Sequence, residues 1–273
     1  MSAADTRPSL WRSANPPLRD WRGLRVWVVG ASSGIGEACA HAWWQAGAHV
    51  TVSARQADAL QRFVDAHPAD EQHHAVRAES LDVTDLAACR AVAERVLAAG
   101  TIDLVLFCAG HYKAMRATAM DVPDIAKHNA VNYMGAVHLS AAIVPALLAQ
   151  GHGHISFISS VAGFRGLPNG LAYGPTKAAL THWAQTLYID LAPHGIGVSV
   201  VHPGFVQTPL TAQNEFKMPA IITPTEAAQA MMGDWARGVF EIHYPKRFTR
   251  VLKALRCLPH RLYCWIVLRA TGL

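Results

Sequence analysis

Short runs of β-branched and aliphatic residues alternate with segments of helical periodicity along most of the chain. The pattern predicts strands at residues 25–29, 50–53, 75–81, 102–107, 155–159 and 197–202, and helices at 34–46, 56–66, 85–98, 125–148 and 173–191. Strands that alternate with helices are typical of βαβ units, in which helices cover both faces of a parallel sheet. We therefore predict an α/β fold with a doubly wound parallel sheet.

The sequence favours one domain over two. Its 273 residues contain no internal repeat and no Ser/Gly-rich linker. Hydrophobic residues make up 51% and charged residues 16%, so a sizeable core is available and disorder of the whole chain is excluded. We predict an N-terminal extension at 1–22, a central domain at 23–244 and a C-terminal tail at 245–273.

The net charge of +5 is concentrated in the tail. Residues 246–273 contain seven Lys and Arg residues and no acid, so the rest of the chain has 24 − 7 = 17 bases against 19 acids. Nucleic-acid binding is therefore not predicted. Apolar side chains recur in the tail at spacings of three and four, with a break at Pro259: they are Phe248, Val251, Leu252, Leu255, Leu258, Leu262 and Ile266. Such a helix either binds an anionic membrane surface or packs on the domain or across a homodimer, and both alternatives stay open.

The cysteines and histidines do not have the spacing of disulfide frameworks or metal sites. The five scattered cysteines include no CxxC pair, which predicts reduced thiols. The 15 histidines include no HExxH motif, and His73, His74, His152 and His154 fall in predicted loops, so no metal site is predicted. We identify no secretory signal and no run of about 18 uncharged apolar residues. We expect a cytoplasmic protein, or one on the inner face of the membrane if the tail binds lipid.

Three glycines follow the first predicted strand and open the first helix. Gly30, Gly34 and Gly36 have the spacing GxxxGxG. Glycine permits a tight turn, lets the backbone approach a pyrophosphate, and leaves the N–H groups of the helix facing the anion. Glycine at such a junction also occurs for steric reasons alone, but in an alternating α/β chain the turn predicts a dinucleotide site.

The second strand indicates which dinucleotide is bound. It ends at Ala54 and Arg55, where a carboxylate would repel a 2′-phosphate and an arginine can bind one with its planar donor fork. We therefore predict NADP in preference to NAD, with a solvated Arg55 as the alternative. Asp82 is predicted either to accept a hydrogen bond from the adenine amino group or to begin the next helix.

Tyr173 and Lys177 lie four residues apart and so on one face of a predicted helix. A phenol with a pKa of about 10 exchanges protons poorly at neutral pH, but an ammonium about 4 Å away would favour the phenolate by about 4 kcal/mol. Lys177 is therefore predicted to lower the pKa of Tyr173 and to make it a general acid or base. A solvated surface pair is the alternative.

The irregular stretch from Pro203 to Pro224, called the lid segment here, is long for a compact domain and is predicted to cover an active site. Its apolar side chains either line a substrate pocket or pack the segment on the core: they are Leu210, Phe216, Met218, Ile221 and Ile222.

Together these motifs resemble the short-chain dehydrogenase/reductase family over residues 25–208. The resemblance implies a Rossmann-like sheet of about seven parallel strands. It implies Asn132 in VNYMGAVH, Ser160 in ISSVAG, and Tyr173 and Lys177 in YGPTK as catalytic residues. It also implies cofactor contacts at the glycine turn and at later strand ends: Gly30, Ser32, Ser33, Gly34, Ile35, Gly36, Arg55, Asp82, Val83, Ala109, Gly110, Tyr173, Lys177, Pro203, Gly204, Val206 and Thr208.

Two positions depart from the family pattern. Val29 stands in place of the usual threonine before the first glycine, and Cys108 stands in place of the usual asparagine in FCAG. Both positions support loops at the adenosine end, so we expect them to affect cofactor affinity and not the chemistry.

The reaction implied by the resemblance is hydride transfer between a nicotinamide and a carbonyl or secondary alcohol. Tyr173 would donate the proton, Ser160 would bind the carbonyl oxygen, Lys177 would hold the nicotinamide ribose, and Asn132 would anchor a water. The predicted substrate is apolar or lipid-like. The alternatives are a soluble ketoacyl-carrier or small-metabolite reductase, and a non-catalytic nucleotide-binding regulatory protein.

Overall fold

A computed structural model describes residues 13–71, 73–214, 216 and 218–272, so most of the predicted N-terminal extension (1–12) lies outside the described residues. Seven parallel strands form one sheet in the order β3-β2-β1-β4-β5-β6-β7. The strands are β1 (Arg25–Val29), β2 (His49–Ala54), β3 (Arg77–Ser80), β4 (Leu104–Phe107), β5 (Gly153–Ile158), β6 (Ile196–Pro203) and β7 (Glu241–Tyr244). The predicted Rossmann-like parallel sheet is confirmed.

Helices cover both faces of the sheet. They are α1 (Gly34–Gln45), α2 (Ala57–Asp65), α3 (Leu86–Ala98), α4 (Val122–Asn129), α5 (Gly135–Gln150), α6 (Tyr173–Leu191), α7 (Pro224–Trp235), α8 (Lys246–Arg256) and α9 (His260–Thr271). Buried residues of α1 and α7 pack in one core cluster, and those of α3, α5 and α6 pack in the other. The helix α7 and the edge strand β7 are elements for which the hydrophobic pattern gave no prediction.

The described part of the N-terminal extension packs on the domain. Trp21 contacts Trp43 and Trp235, with ring centroids 5.4 and 6.0 Å away. The Asn15 amide donates to the Val198 carbonyl at 2.7 Å and accepts from the Val198 N–H at 2.9 Å, so it acts as one more partner for β6. These contacts tie residues 13–22 to the core, and the division at residue 22 stays a prediction.

One helical segment is long and apolar enough to cross a membrane by length and composition. It is Val122–Gln150, and 44% of its most apolar window is buried inside the protein. The segment includes Asn132, His138 and Ser140, so it is not an uninterrupted run of about 18 apolar residues. Leu139, Ile143 and Leu147 of this segment are fully buried against the sheet, which is the position of a core helix in an α/β fold.

Candidate active site

A cleft of about 390 Å³ opens at the carboxyl ends of β1, β2, β4, β5 and β6. Between β1 and β4 the order of the strands reverses, and open parallel sheets bind ligands at this switch point. Every predicted cofactor residue except Gly36 lines the cleft.

The glycine turn shapes the cleft so that backbone, not side chains, faces it. Gly30 has a φ of +100°, and a Cβ there would overlap the backbone of Cys108 and Ala109. A Cβ on Gly36 would overlap the carbonyl oxygen of Gly30. Gly36 therefore supports the turn from behind, and the residues present fit a dinucleotide pyrophosphate at the start of α1.

Two charged residues, Arg55 and Asp82, line the end of the cleft that lies beyond β2 and β3. Arg55 is exposed beside Ala54 at the end of β2. Burial pushes the pKa of Asp82 up, but hydrogen bonds from the Thr84 N–H and hydroxyl, at 3.0 and 2.8 Å, and the nearby Arg55 outweigh it, so the pKa is lowered. Asp85 caps α3 instead of Asp82, which leaves Asp82 in the cleft wall.

The two candidate hydroxyl groups lie together. Ser160 follows β5 at the start of a short 3₁₀ turn and is 8% exposed, and Tyr173 is the first residue of α6. Both line the same cleft, and the Ser160 hydroxyl lies near enough to lower the pKa of Tyr173. Such a pair can bind one carbonyl oxygen from two sides.

Lys177 lies one helical turn beyond Tyr173 and is 2% exposed. Its Nζ donates to the carbonyl of Ile158 at 2.7 Å and lies 5.5 Å from the centre of the Tyr173 ring. Burial lowers the pKa of Lys177 to about 8, against a smaller opposing effect of Cys108.

The predicted lowering of the Tyr173 pKa is wrong. Burial raises the pKa of Tyr173 above its ordinary value, and the Ser160 hydrogen bond offsets part of this rise. Burial is the largest effect on Tyr173, while the Lys177 ammonium is hydrogen-bonded to the end of β5, with its Nζ 5.5 Å from the centre of the Tyr173 ring. At neutral pH Tyr173 is therefore a neutral phenol, which is the form that donates a proton.

Asn132 sits in a π-helical turn (Ala130–Met134) between α4 and α5. Its Oδ1 accepts the His111 N–H at 2.6 Å, and its Nδ2 donates to the His111 carbonyl at 2.9 Å and to the Thr176 hydroxyl at 3.1 Å. The amide therefore joins the loop after β4 to α6 behind Lys177. The role of anchoring a water stays a prediction, because the described contacts of the amide are to protein groups.

Sequence reasoning missed two groups beside these residues. Tyr112 lines the cleft with its ring edge-on to Tyr173 at 5.0 Å, and its hydroxyl donates to Asn214 of the lid segment at 3.1 Å. The position of Tyr112, just after the FCAG motif, was the available signal.

The second missed group is a His–Asp–His cluster at the mouth of the cleft. Candidate ligand atoms of His111, Asp124 and His128 lie within 4.8 Å of one another. His128 accepts the Lys113 N–H at 3.1 Å with Nε2, so its Nδ1 carries the hydrogen and faces the Asp124 carbonyl at 2.8 Å. Because both nitrogens of His128 are used, the cluster is explained as a hydrogen-bonded network.

Some apolar side chains of the lid segment line the cleft, and others pack the segment on the domain, so each alternative holds for part of it. Leu210 lines the cleft. Ile222 packs against the core and Phe216, 45% exposed, contacts Phe205 with ring centroids 5.7 Å apart.

The comparisons with known proteins agree with this geometry. The family model described as short chain dehydrogenase matches residues 25–218, and the chain therefore belongs to the short-chain dehydrogenase/reductase family. Members of this family are oxidoreductases that bind NAD(P) and act on alcohols or carbonyls.

Three matches illustrate the range of relatives. An uncharacterized oxidoreductase of Myxococcus xanthus is 31% identical over 240 residues, or 86% of this chain and 93% of the relative. The 3-ketodihydrosphingosine reductase of Mus musculus is 29% identical over 233 residues, or 80% of this chain and 70% of the relative. The solved structure of an alcohol dehydrogenase from the archaeon Thermococcus sibiricus, complexed with 5-hydroxy-NADP, superimposes with a TM-score of 0.73 at 26% identity, covering 81% of this chain and 96% of that one.

Proposed function

We propose that the protein is an NADP(H)-dependent carbonyl reductase or alcohol dehydrogenase acting on an apolar, lipid-like substrate. The observation that carries the proposal is that Ser160, Tyr173 and buried Lys177 line one cleft with a glycine turn that fits a dinucleotide. When bound, the reduced nicotinamide supplies the hydride.

Residues of the chain donate the proton and bind the substrate oxygen. Tyr173 is held as a neutral phenol by burial and donates its proton to the substrate oxygen. Ser160 donates a hydrogen bond to the same oxygen as negative charge develops there. Lys177 keeps a cation near Tyr173, where it stabilises the phenolate that remains once the proton has been given to the substrate.

Replacement of Tyr173 by phenylalanine tests this assignment. Tyr173→Phe is expected to bind NADPH as the wild type does and to lose at least about 100-fold in turnover, the usual scale for a general acid. Turnover is followed by NADPH absorbance on a panel of ketones and aldehydes. If the wild type binds NADPH but turns over none of the panel, the non-catalytic regulatory alternative is favoured.

The preference for NADP is inferred from Arg55. Among the described residues that line the cleft, Asp82 is the acid, and none stands at the end of β2, where it would repel a 2′-phosphate. The T. sibiricus relative, solved with an NADP derivative, supports the inference. Arg55→Ala is expected to weaken NADPH binding by about tenfold or more while NADH binding stays within twofold, because a charge-assisted hydrogen bond contributes about 1.5–3 kcal/mol. An unchanged NADPH/NADH affinity ratio would end the inference.

The substrate class is inferred from the apolar wall of the cleft and from one relative. Leu210 and Tyr112 face the cleft, and the mouse relative is named for a ketone of a sphingoid lipid. Each buried methylene contributes about 0.8 kcal/mol, so kcat/KM is expected to rise about fourfold per added methylene until the pocket is filled. A flat response to chain length would favour the small-metabolite or ketoacyl-carrier alternative.

We also propose that the tail binds an anionic membrane surface from the cytoplasmic side. The outer face of α8 and α9 exposes Val251, Leu262, Trp265 and Leu268, which are 44–58% exposed. Lys246 and Lys253 pair with Asp234 and Glu241, and the other five cations of the tail are arginines. Each cation near an anionic leaflet contributes about 1 kcal/mol.

Sedimentation with phosphatidylserine vesicles tests the membrane proposal. The wild type is expected to pellet in a salt-reversible manner, and a Leu262→Ser/Trp265→Ser variant is expected to stay in the supernatant. Ile189→Ser is the matched control, because Ile189 is 70% exposed on α6 outside the tail. A wild type that does not pellet, or a control that is equally impaired, would contradict the proposal and leave homodimer packing as the explanation of the exposed face.

A further inference from the structure

The segment that joins the two candidate hydroxyl groups is short and irregular. It runs from Val161 to Ala172, directly between Ser160 and Tyr173, and its regular part is one 3₁₀ turn. The path of residues 161–172 therefore sets the position of the Ser160 side chain relative to the phenol. Contacts that fix this segment therefore also fix the two candidate hydroxyl groups relative to each other.

The C-terminal tail holds the first half of this segment. The Arg165 guanidinium donates through Nη1 to the carbonyls of Leu258 at 2.7 Å and Arg256 at 3.3 Å, and it lies 4.2 Å from the centre of the Tyr263 ring. The Tyr263 hydroxyl donates back to the Gly166 carbonyl at 2.8 Å. We name these contacts among Arg165, Gly166, the carbonyls at 256 and 258, and Tyr263 the tail clamp.

The chemistry of the tail clamp depends on a guanidinium. The Arg256 carbonyl ends α8 at the negative end of the helix dipole, and the Leu258 carbonyl lies just beyond it, so a cation there is favoured. A planar group can donate to two carbonyls and stack on an aromatic ring at the same time, which an ammonium cannot do. The break at Pro259 ends α8 and brings Tyr263 of α9 under the guanidinium.

The second half of the segment is held by a different element. The Met115 N–H donates to the Asn169 carbonyl at 3.0 Å, and the Leu171 N–H donates to the Met115 carbonyl at 3.4 Å. The loop after β4 thus fixes residues next to Tyr173. Loss of the tail clamp would remove the contacts of Arg165 and Gly166, whereas the Tyr173 end of the segment would keep its contacts to Met115.

We propose that the tail is a positioning element of the active site, with Arg165 as the residue that joins it to the segment between Ser160 and Tyr173. The inference rests on the proposed function, and it adds to the tail a role that does not require a membrane. The outer face of α9 remains available to lipid, because Tyr263 points to the domain and is 6% exposed whereas Trp265 is 56% exposed.

Three variants separate positioning from simple loss of stability, with a water-soluble ketone as substrate. Arg165→Ala is expected to lower kcat about tenfold to 100-fold with NADPH affinity within twofold of the wild type, because small misplacements of catalytic groups have effects of this size. Arg165→Lys is expected not to restore kcat, whereas added guanidinium ion, below denaturing concentrations, is expected to restore part of it in Arg165→Ala. Arg90→Ala, an exposed arginine on α3, is the matched control and is expected to behave as the wild type.

Hydrogen exchange keeps the test independent of turnover. The amides of 161–166 are expected to exchange faster in Arg165→Ala than in the wild type and in Arg90→Ala, while those of 169–171 change little. If the wild type proves inactive, the proposed function fails but this exchange pattern still tests the tail clamp. Unchanged exchange in Arg165→Ala, or a kcat that falls only in proportion to the unfolded fraction, would overturn the inference.

Discussion

Lys177 is a buried cation, and its replacement by methionine allows its effects on stability and activity to be separated. The ammonium is 2% exposed, its hydrogen bond to the Ile158 carbonyl is 2.7 Å long, and burial lowers its pKa from 10.5 to about 8. That difference corresponds to about 3 kcal/mol that the charged form loses on folding. Methionine has a similar length, fills the same space and carries no charge.

The magnitude follows from two opposing contributions. Removal of the charge recovers about 3 kcal/mol, and the Ile158 carbonyl left without its donor costs about 1–2 kcal/mol. Lys177→Met is therefore expected to be about 1–2 kcal/mol more stable than the wild type at pH 7, equivalent to a rise in Tm of about 2–8 °C, while losing its turnover.

The sign of the difference should reverse with pH. The folded-state pKa of Lys177 is below the unfolded value, so between about pH 8 and 10.5 the unfolded chain binds the extra proton and wild-type stability rises with pH relative to the variant. Near pH 10.5 the cost of the charge is gone, the lost hydrogen bond remains, and the variant should be the less stable protein. Denaturant unfolding of both proteins without cofactor, from pH 7 to 10.5, measures the difference. A variant that is less stable at pH 7, or a difference that does not change with pH, would refute the reasoning.

Two further predictions concern buried positions of the fold. Gly36→Ala is expected to lower the free energy of unfolding by about 1–3 kcal/mol and to weaken NADPH binding, because the added Cβ would overlap the Gly30 carbonyl. Gly233→Ala in α7 is the matched control: nothing lies within 4 Å of the added Cβ, so this variant should not be destabilised. His154 is buried with its pKa lowered to about 3, so below pH 6.5 the unfolded chain binds one more proton and stability falls with pH, by about 2 kcal/mol between pH 6.5 and 5. His154→Gln should make this acid-induced loss smaller by that amount, and equal slopes in the two proteins would contradict the assignment.

The sequence predicted those features of the fold and site that depend on local pattern. The strand at 25–29 and the helix at 173–191 match β1 and α6 residue for residue, because each has a sharp boundary: a glycine turn after the strand and a tyrosine at the helix start. The residues of the glycine turn and of YGPTK line one cleft because parallel strands end on one side of the sheet.

What could not be predicted depends on contacts between distant parts of the chain. The π-helical turn at Asn132 has no local signal, since its cause is the fit of the amide to His111 and Thr176. Helical spacing placed Lys177 beside Tyr173 but could not show that the phenol is buried, and so the predicted pKa shift of Tyr173 had the wrong direction. The amphipathic pattern predicted a helical tail broken at Pro259, but not that Tyr263 faces the domain.

The energetics of Lys177 explain why the surroundings of the site need to be rigid. A buried ammonium is tolerated when its hydrogen-bond partner cannot move away, and that partner is the last carbonyl of β5, a strand buried along its whole length between β4 and β6. The candidate hydroxyls of Ser160 and Tyr173 lie just beyond this rigid strand, at the two ends of a segment with little regular structure that contacts Met115 and the tail. Rigidity at the cation comes from the sheet, whereas rigidity at the hydroxyls comes from contacts of the irregular segment with a loop and with the tail. Mutations that remove contacts of this segment should therefore change turnover at a smaller cost in stability than mutations in the sheet around Lys177.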